Sequence, residues 1–332
     1  MSKIYLAGLG AGLVCAIAFA SATGGHPLGA FVLFLLAPLP VYLVGLGFGG
    51  LAVVAAALSG GVFLGLFTGP LVALLFAATQ ILPAGVLSWL ALLRRDSLTP
   101  GGSVMTEWYP PGRLVMWAGI IAAAMAIGMM LILGQDMEAL KTGLRAGLEK
   151  YLKDAMPQTD TAPAMSDADL DRLTDVTLSF LPAVTAMSMM LAMLLNLWVA
   201  GRVATASGAL ARPWPDLAAV TLPAGAPLVL AGSVIAATVL EGIAGLAASA
   251  AAGAAYLAFV LVGLAIVHFT SRGRPLRGLI LGATYACLIV FNTGFSMILA
   301  IMGLTEPFSP LRRSLPPDPP PGPPSGPPIG PT

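Results

Sequence analysis

AFVLFLLAPLPVYLVGLGFGG, residues 30–50, decides how this chain is read. It carries no charge and is long enough to cross the roughly 30 Å of a bilayer's hydrocarbon, which takes about 20 helical residues. Yet Pro38 and Pro40 sit in its middle, and Gly45, Gly47, Gly49 and Gly50 follow. Proline inside a helix removes one hydrogen bond and clashes with the preceding turn, at about 3 kcal/mol. In lipid the freed carbonyls need partners, so such a break is tolerated mainly where it faces protein or a cavity. The spacing predicts an irregular stretch rather than a simple kink. Two readings follow: a packing break with no ligand, or an interrupted helix of the sort that lines a substrate site near the bilayer midplane.

The rest of the chain reads in the same solvent. Of its 332 residues, 58% are hydrophobic and 9% charged, against about 25% charged in a soluble domain. Unbroken apolar runs indicate helices, since a transmembrane barrel shows weak alternating segments instead. The fold class expected is all-α, a polytopic helical bundle. Nine segments can be marked, at 4–22, 28–47, 49–67, 70–93, 114–134, 174–200, 220–240, 244–269 and 278–303; eight spans result if one falls short. The first also has features of a signal peptide, with Lys3 ahead of it and Ala20-Ser21-Ala22 behind; we expect a retained helix. The division expected is a five-helix membrane region (1–134), an extracytoplasmic helix and linker (135–173), a four-helix membrane region (174–305) and a disordered proline-rich tail (306–332).

Lysine and arginine set the orientation. Lys3, Arg94, Arg95, Arg113, Arg202, Arg212, Arg272, Arg274 and Arg277 all fall on one side of nine alternating helices, and that side should be cytoplasmic. Arg94, Arg95, Arg202 and Arg272 are read as anchors of that face, with Trp214 beside them by its interfacial preference. Nine spans leave Arg312 and Arg313 outside; eight return them inside. In the long outer loop, Met137, Leu140, Leu144, Leu148, Tyr151 and Leu152 recur at helical spacing. They mark an amphipathic helix that either lies on the bilayer or packs on its neighbours. Ser166 and Asp169 form a capping signature ahead of the sixth span.

Few residues carry chemistry. Gln80, Asn196 and Asn292 are the polar residues inside spans, and none of the spans has a carboxylate at its centre. Such residues face the bundle interior, as helix-to-helix hydrogen-bond donors or as the polar lining of a site. With Pro38 and Pro40 they are the candidate ligand-binding residues. Cys15 and Cys287 read as small core residues, and His26 and His268 as interfacial side chains with no metal-ligand spacing. No HExxH, CxxC pair, GxSxG elbow or Walker A loop is present, so neither an enzyme nor a resident cofactor or metal is expected. The net charge of +1 gives no basic surplus for nucleic acid. Helices in lipid associate through small residues. Candidates are Ala7, Ala11, Ala16 and Ala20 in the first segment, Gly61, Gly65 and Gly69 in the third, and Gly245, Ser249 and Gly253 in the eighth.

Several stretches together resemble the YybS-like family of bacterial membrane proteins: APLPVY (37–42), RRD (94–96), LLNLWVAGR (194–202), RPWPDLAAVTLP (212–223) and MGLTEPFSPLRR (302–313). The N-terminal half of that family is similar to substrate-binding subunits of energy-coupling-factor transporters. Those have about six helices, capture a vitamin or metal ion and borrow a separate ATPase module. The resemblance implies an inner-membrane protein, embedded in the lipid bilayer, that captures a small molecule and partners an external ATPase and coupling module. It also implies that the AxxxA face of the first helix meets that module. The alternative is a non-transporting membrane scaffold.

Overall fold

The computed structural model describes residues 2–22, 27–98, 104–134, 136–155 and 166–308. The proline-rich tail with Arg312 and Arg313, His26 and the 156–165 linker lie outside the described residues. Twelve α-helices account for most of what is described: α1 Ser2–Ser21, α2 Pro27–Leu36, α3 Leu39–Phe48, α4 Gly50–Phe67, α5 Pro70–Phe76, α6 Leu82–Ala91, α7 Pro111–Leu133, α8 Met137–Ala155, α9 Asp167–Ala206, α10 Ala226–Val239, α11 Gly242–Thr270 and α12 Arg277–Thr305. Through a π-turn at Ala77–Ile81, α5 and α6 form one apolar rod. The cause is local: Pro83 has no N–H for the preceding turn, so the ladder must widen there.

All nine expected segments become helix, and seven are long and apolar enough to span a membrane. The second and seventh are short. The second is divided at Ala37–Pro38. The seventh begins only at Ala226, because Pro213, Pro215 and Pro223 hold the chain before it out of a helix. Its 14 residues reach about 21 Å. The sixth runs longer than expected. At 40 residues, α9 is about 60 Å long, twice the hydrocarbon thickness, so its first turns project beyond the bilayer. The RRD stretch does more than anchor: Arg94–Leu98 (β1) pairs antiparallel with Val104–Trp108 (β2), with Arg95 opposite Glu107.

Close contacts fix the helix directions. Gly8 and Gly12 of α1 lie against Ala52 and Ala56 of α4, and the Ser59 hydroxyl donates to Leu9 O at 2.9 Å. Those two helices therefore run parallel. Gly253 of α11 meets Ala183 of α9, while Ser249 Oγ donates to Ser179 O at 3.3 Å, so α9 and α11 are also parallel. Gly263 sits on Leu299 and Gly303 on Phe259, which makes α11 and α12 antiparallel. These directions are the ones that nine alternating passes require. One hydrophobic cluster, from Cys15 of α1 to Ala300 of α12, draws on helices before and after α8.

The helix α8 packs on its neighbours. Leu140 of α8 is 2% exposed, against Met130, Leu178 and Leu246. Arg145 donates to Asp171 and Asp167, both at 2.8 Å, and Lys141 pairs with Asp175 at 2.6 Å. Glu149 and Lys153 pair at 2.7 Å along α8 itself. The Ser166 hydroxyl accepts the Asp169 N–H at 3.2 Å and caps α9.

Candidate functional site

The break in residues 30–50 is a two-residue turn, not the irregular stretch expected. Ala37 N–H reaches Leu33 O at 2.8 Å, and Val41 and Tyr42 N–H reach Pro38 O at 3.0 and 3.1 Å. Pro38 is buried and Pro40 half-buried, while Ala37, Val41 and Tyr42 are enclosed by neighbours. The carbonyl of Leu35 is served from α9: Asn196 Nδ2 donates to it at 2.7 Å and to Ala192 O at 2.8 Å. Asn196 thus stitches α9 to the break. The stretch is kept in register by packing and one amide.

The other candidates lie elsewhere. Gln80 is buried in the π-turn, its amide donating to Thr79 Oγ1 at 3.4 Å. Asn292 is exposed on α12, in a conformation (φ 20°, ψ −89°) that kinks the helix. Gly61 has open space around it. Gly65 meets only Ala73, at ordinary contact distance, and Gly69, with φ of 102°, makes the α4–α5 turn. The tight approach on α4 is made by Gly60, beside Gly12 and Phe76. On α1, Ala11 and Ala16 are buried within the chain, and Ala7 and Ala20 are half-buried. Ala7 and Ala11 pack near Val44 and Ala52, and Ala16 and Ala20 belong to the main core. Their AxxxA rows are therefore at least partly occupied by this chain's own helices.

What composition could not locate is a cleft of about 670 Å³ at the arginine-bearing end of the bundle. Its walls are α7 (Leu114, Val115), α9 (Leu191 to Gly201), α11 (Leu261 to His268) and Tyr285 of α12. From Leu191 to Gly201 the lining descends about 15 Å along α9. Over the mouth runs the segment between α9 and α10, which we call the strap. Leu210, Arg212, Trp214, Pro215 and Leu217 of the strap also line the cleft, with Leu46 of α3 and Ala91 of α6.

The strap is pinned at several points. Gly112 of α7 leaves room for Thr221, and Gly201 of α9 for Trp214; a Cβ on Gly201 would stand 2.7 Å from the indole. The Arg202 guanidinium lies 5.3 Å over that ring. Asp216 accepts two bonds from Arg272, one of them at 2.9 Å. The Arg272 guanidinium holds the Asp216 carboxyl below the usual aspartate range, helped by the Ala218 and Ala219 backbone. Arg212 donates through Nη1 to Ala91 O at 2.9 Å and Tyr109 O at 3.4 Å. It also lies 5.7 Å over Trp108. Burial lowers its pKa from the ordinary value, yet a guanidinium stays charged at any physiological pH. Its Nε is buried and has no partner among the described residues. At the rim, His268 Nε2 and Tyr285 OH are 2.9 Å apart.

The arrangement is a greasy slot roofed by a strap and edged with cations. It has the size of a small-molecule site, about 300–1,000 Å³, and the usual make-up of apolar walls with a few polar groups. Among the described residues no group of three or more His, Cys, Asp or Glu side chains is placed to hold a metal.

Residues 14–306 match the family described as predicted membrane protein (DUF2232). The chain belongs to that family. The match takes in the Pro38 break, the strap and all the cleft walls. No curated protein and no solved structure matches the chain. It is a multi-pass membrane protein embedded in the lipid bilayer.

Proposed function

We propose that this chain is a substrate-capture component of the bacterial inner membrane, with the cleft under the strap as its site. The observation that carries the reading is that cleft: about 670 Å³ walled by helices from several passes. It replaces the Pro38 break, where the side chains are packed closely, as the place for a ligand. By the positive-inside rule the cleft opens toward the cytoplasmic leaflet. The YybS-like and energy-coupling-factor resemblances favour a protein that holds its substrate while a separate ATPase module supplies energy. The sequence contains no Walker A loop of its own.

The test is direct. The full chain is purified in detergent and native mass spectrometry searches for a co-purifying small molecule. Leu194→Trp, which puts an indole into the cleft, should release that molecule while preserving the monodisperse fold. A chain that never carries a ligand, and whose melting temperature no compound in a broad panel raises, would sink the reading.

A second reading has one observation behind it. Gly278, Gly282 and Ala286 follow one another at four-residue spacing on exposed α12, and a Cβ on either glycine would meet nothing. Such a row suits a close helix contact with another membrane chain, as a scaffold would use. Gly282→Leu should abolish assembly if that row is an interface, as read by cross-linking in native membranes. It should leave ligand retention intact.

A further inference from the structure

We propose that the cleft takes an acyl chain of an anionic phospholipid from the surrounding leaflet and that Arg212 holds its phosphate. This deepens the capture reading and rests on it. The first observation is depth. The lining descends about 15 Å, which is half of the roughly 30 Å hydrocarbon and therefore one leaflet. The second is the lining itself: mainly leucines of α7, α9 and α11, which suit an alkyl chain, with Arg212, His268 and Tyr285 at the arginine-bearing end.

The third is charge. The Arg212 guanidinium is fixed at one edge by two backbone carbonyls, while its buried Nε lacks an acceptor. No carboxylate forms an ion pair with it among the described residues. Arg212 is half-buried and lines the cleft. A cation so placed without an anion carries a desolvation cost, and a phosphate at the mouth relieves it with a charge-assisted bond to the guanidinium. The rest of the rim has the same sign. Arg202 lies over Trp214, and Arg272 and Arg277 act electrostatically on His268. Asp216 is the acidic group there, and Arg272 already engages it. A zwitterionic head would bring its own cation into this field; an anionic head does not.

The experiment uses the delipidated full chain, titrated in neutral detergent and read by native mass spectrometry. The probes are phosphatidylglycerol, phosphatidylcholine with the same acyl chains, and glycerol phosphate alone. One phosphatidylglycerol per chain should bind about tenfold more tightly than phosphatidylcholine, and glycerol phosphate should not bind measurably. Arg212→Gln should remove that preference and Arg212→Lys keep part of it. Leu194→Trp should abolish one-to-one binding, with the milder Val115→Phe as a second obstruction should the first fail to fold. Equal binding of both lipids, lost in Leu194→Trp, overturns the phosphate assignment and leaves the capture reading standing. Lipid binding that neither obstruction changes is annular and overturns the proposal. Binding of glycerol phosphate without a tail assigns the site to a soluble phosphate and overturns the lipid assignment.

Discussion

Asn196 shows what a single polar side chain does in this bundle. It is fully buried, and its amide serves Leu35 O across a helix break that prolines made. Asn196→Leu keeps the volume and removes the donor. An orphaned buried carbonyl costs about 1–3 kcal/mol in proteins generally, whereas single polar contacts between membrane helices average about 0.6 kcal/mol. We expect about 1 kcal/mol, seen as a drop of about 2 °C in detergent thermal scans. Lipid retention in the cleft should not change. A melting point unmoved by the change would show that the break needs no help from α9. Asn196 stood out in the sequence as a rare polar residue in a span, and the Pro38–Pro40 break beside Leu35 as an interruption. Their meeting did not, because they belong to helices separated by 161 positions from Leu35 to Asn196, and no local pattern records a tertiary pair. Gly201 argues similarly: it looks like a packing glycine on α9, but the ring it accommodates comes from the strap. Gly201→Val should push Trp214 out and red-shift the emission assigned to it by comparison with Trp214→Phe. The bundle's helicity should hold.

At the scale of elements, the strap and α8 are held by different forces and should respond to different conditions. The strap's one ion pair among the described residues is Asp216 on Arg272. A carboxyl depressed by its partner contributes while it is ionised, above its unfolded value, and that contribution is lost as pH falls through the folded value. The strap should therefore stay seated at neutral pH and loosen only under acid conditions, below the ordinary aspartate range. Hydrogen-exchange protection at 217–220, taken against the intrinsic rate at each pH, measures it, and Arg272→Gln should lower the protection at neutral pH to its acid level. If the wild-type strap's protection is flat with pH, the ion pair does not help to seat it. For α8 the seat is mainly apolar. Leu140→Asp should undock it, raising exchange along α8 and in the first turns of α9. Arg145→Gln, whose pairs are largely exposed, should cost under 1 kcal/mol. The periodicity of 137–152 was enough to identify this helix. It could not choose between lipid and protein as the partner, since a leucine stripe suits both. The choice came from Asp167, Asp171 and Asp175, which become a charge ladder only when α9 extends past the bilayer.

For the molecule as a whole, hydropathy and charge made the solvent, the helices and their order legible, because each is a property of contiguous residues. The cleft was not, because it is the gap left where α7, α9, α11 and α12 diverge under a proline-bound strap. A gap has no sequence of its own. What composition does predict is sidedness, and contact geometry sharpens the test. Parallel α1 and α4, parallel α9 and α11, and antiparallel α11 and α12 all satisfy nine alternating passes, but they are equally consistent with the whole bundle inverted. Only the arginines break that symmetry. Single cysteines placed in a chain carrying Cys15→Ala and Cys287→Ala decide it. Thr106→Cys in the hairpin and Ser207→Cys at the foot of α9 should be blocked only by thiol reagents that enter the cytoplasm. Ala139→Cys on α8 should react with an impermeant reagent on intact cells. If Ala139→Cys is shielded while Thr106→Cys is labelled from outside, the bundle is inverted and the cleft draws from the outer leaflet. If both sites react from the same side, α7 fails to cross; the short passes are tested by sites that flank them, since Ser2→Cys and Thr106→Cys label alike only if α2–α3 crosses, and Ser207→Cys and Arg274→Cys label alike only if α10 does.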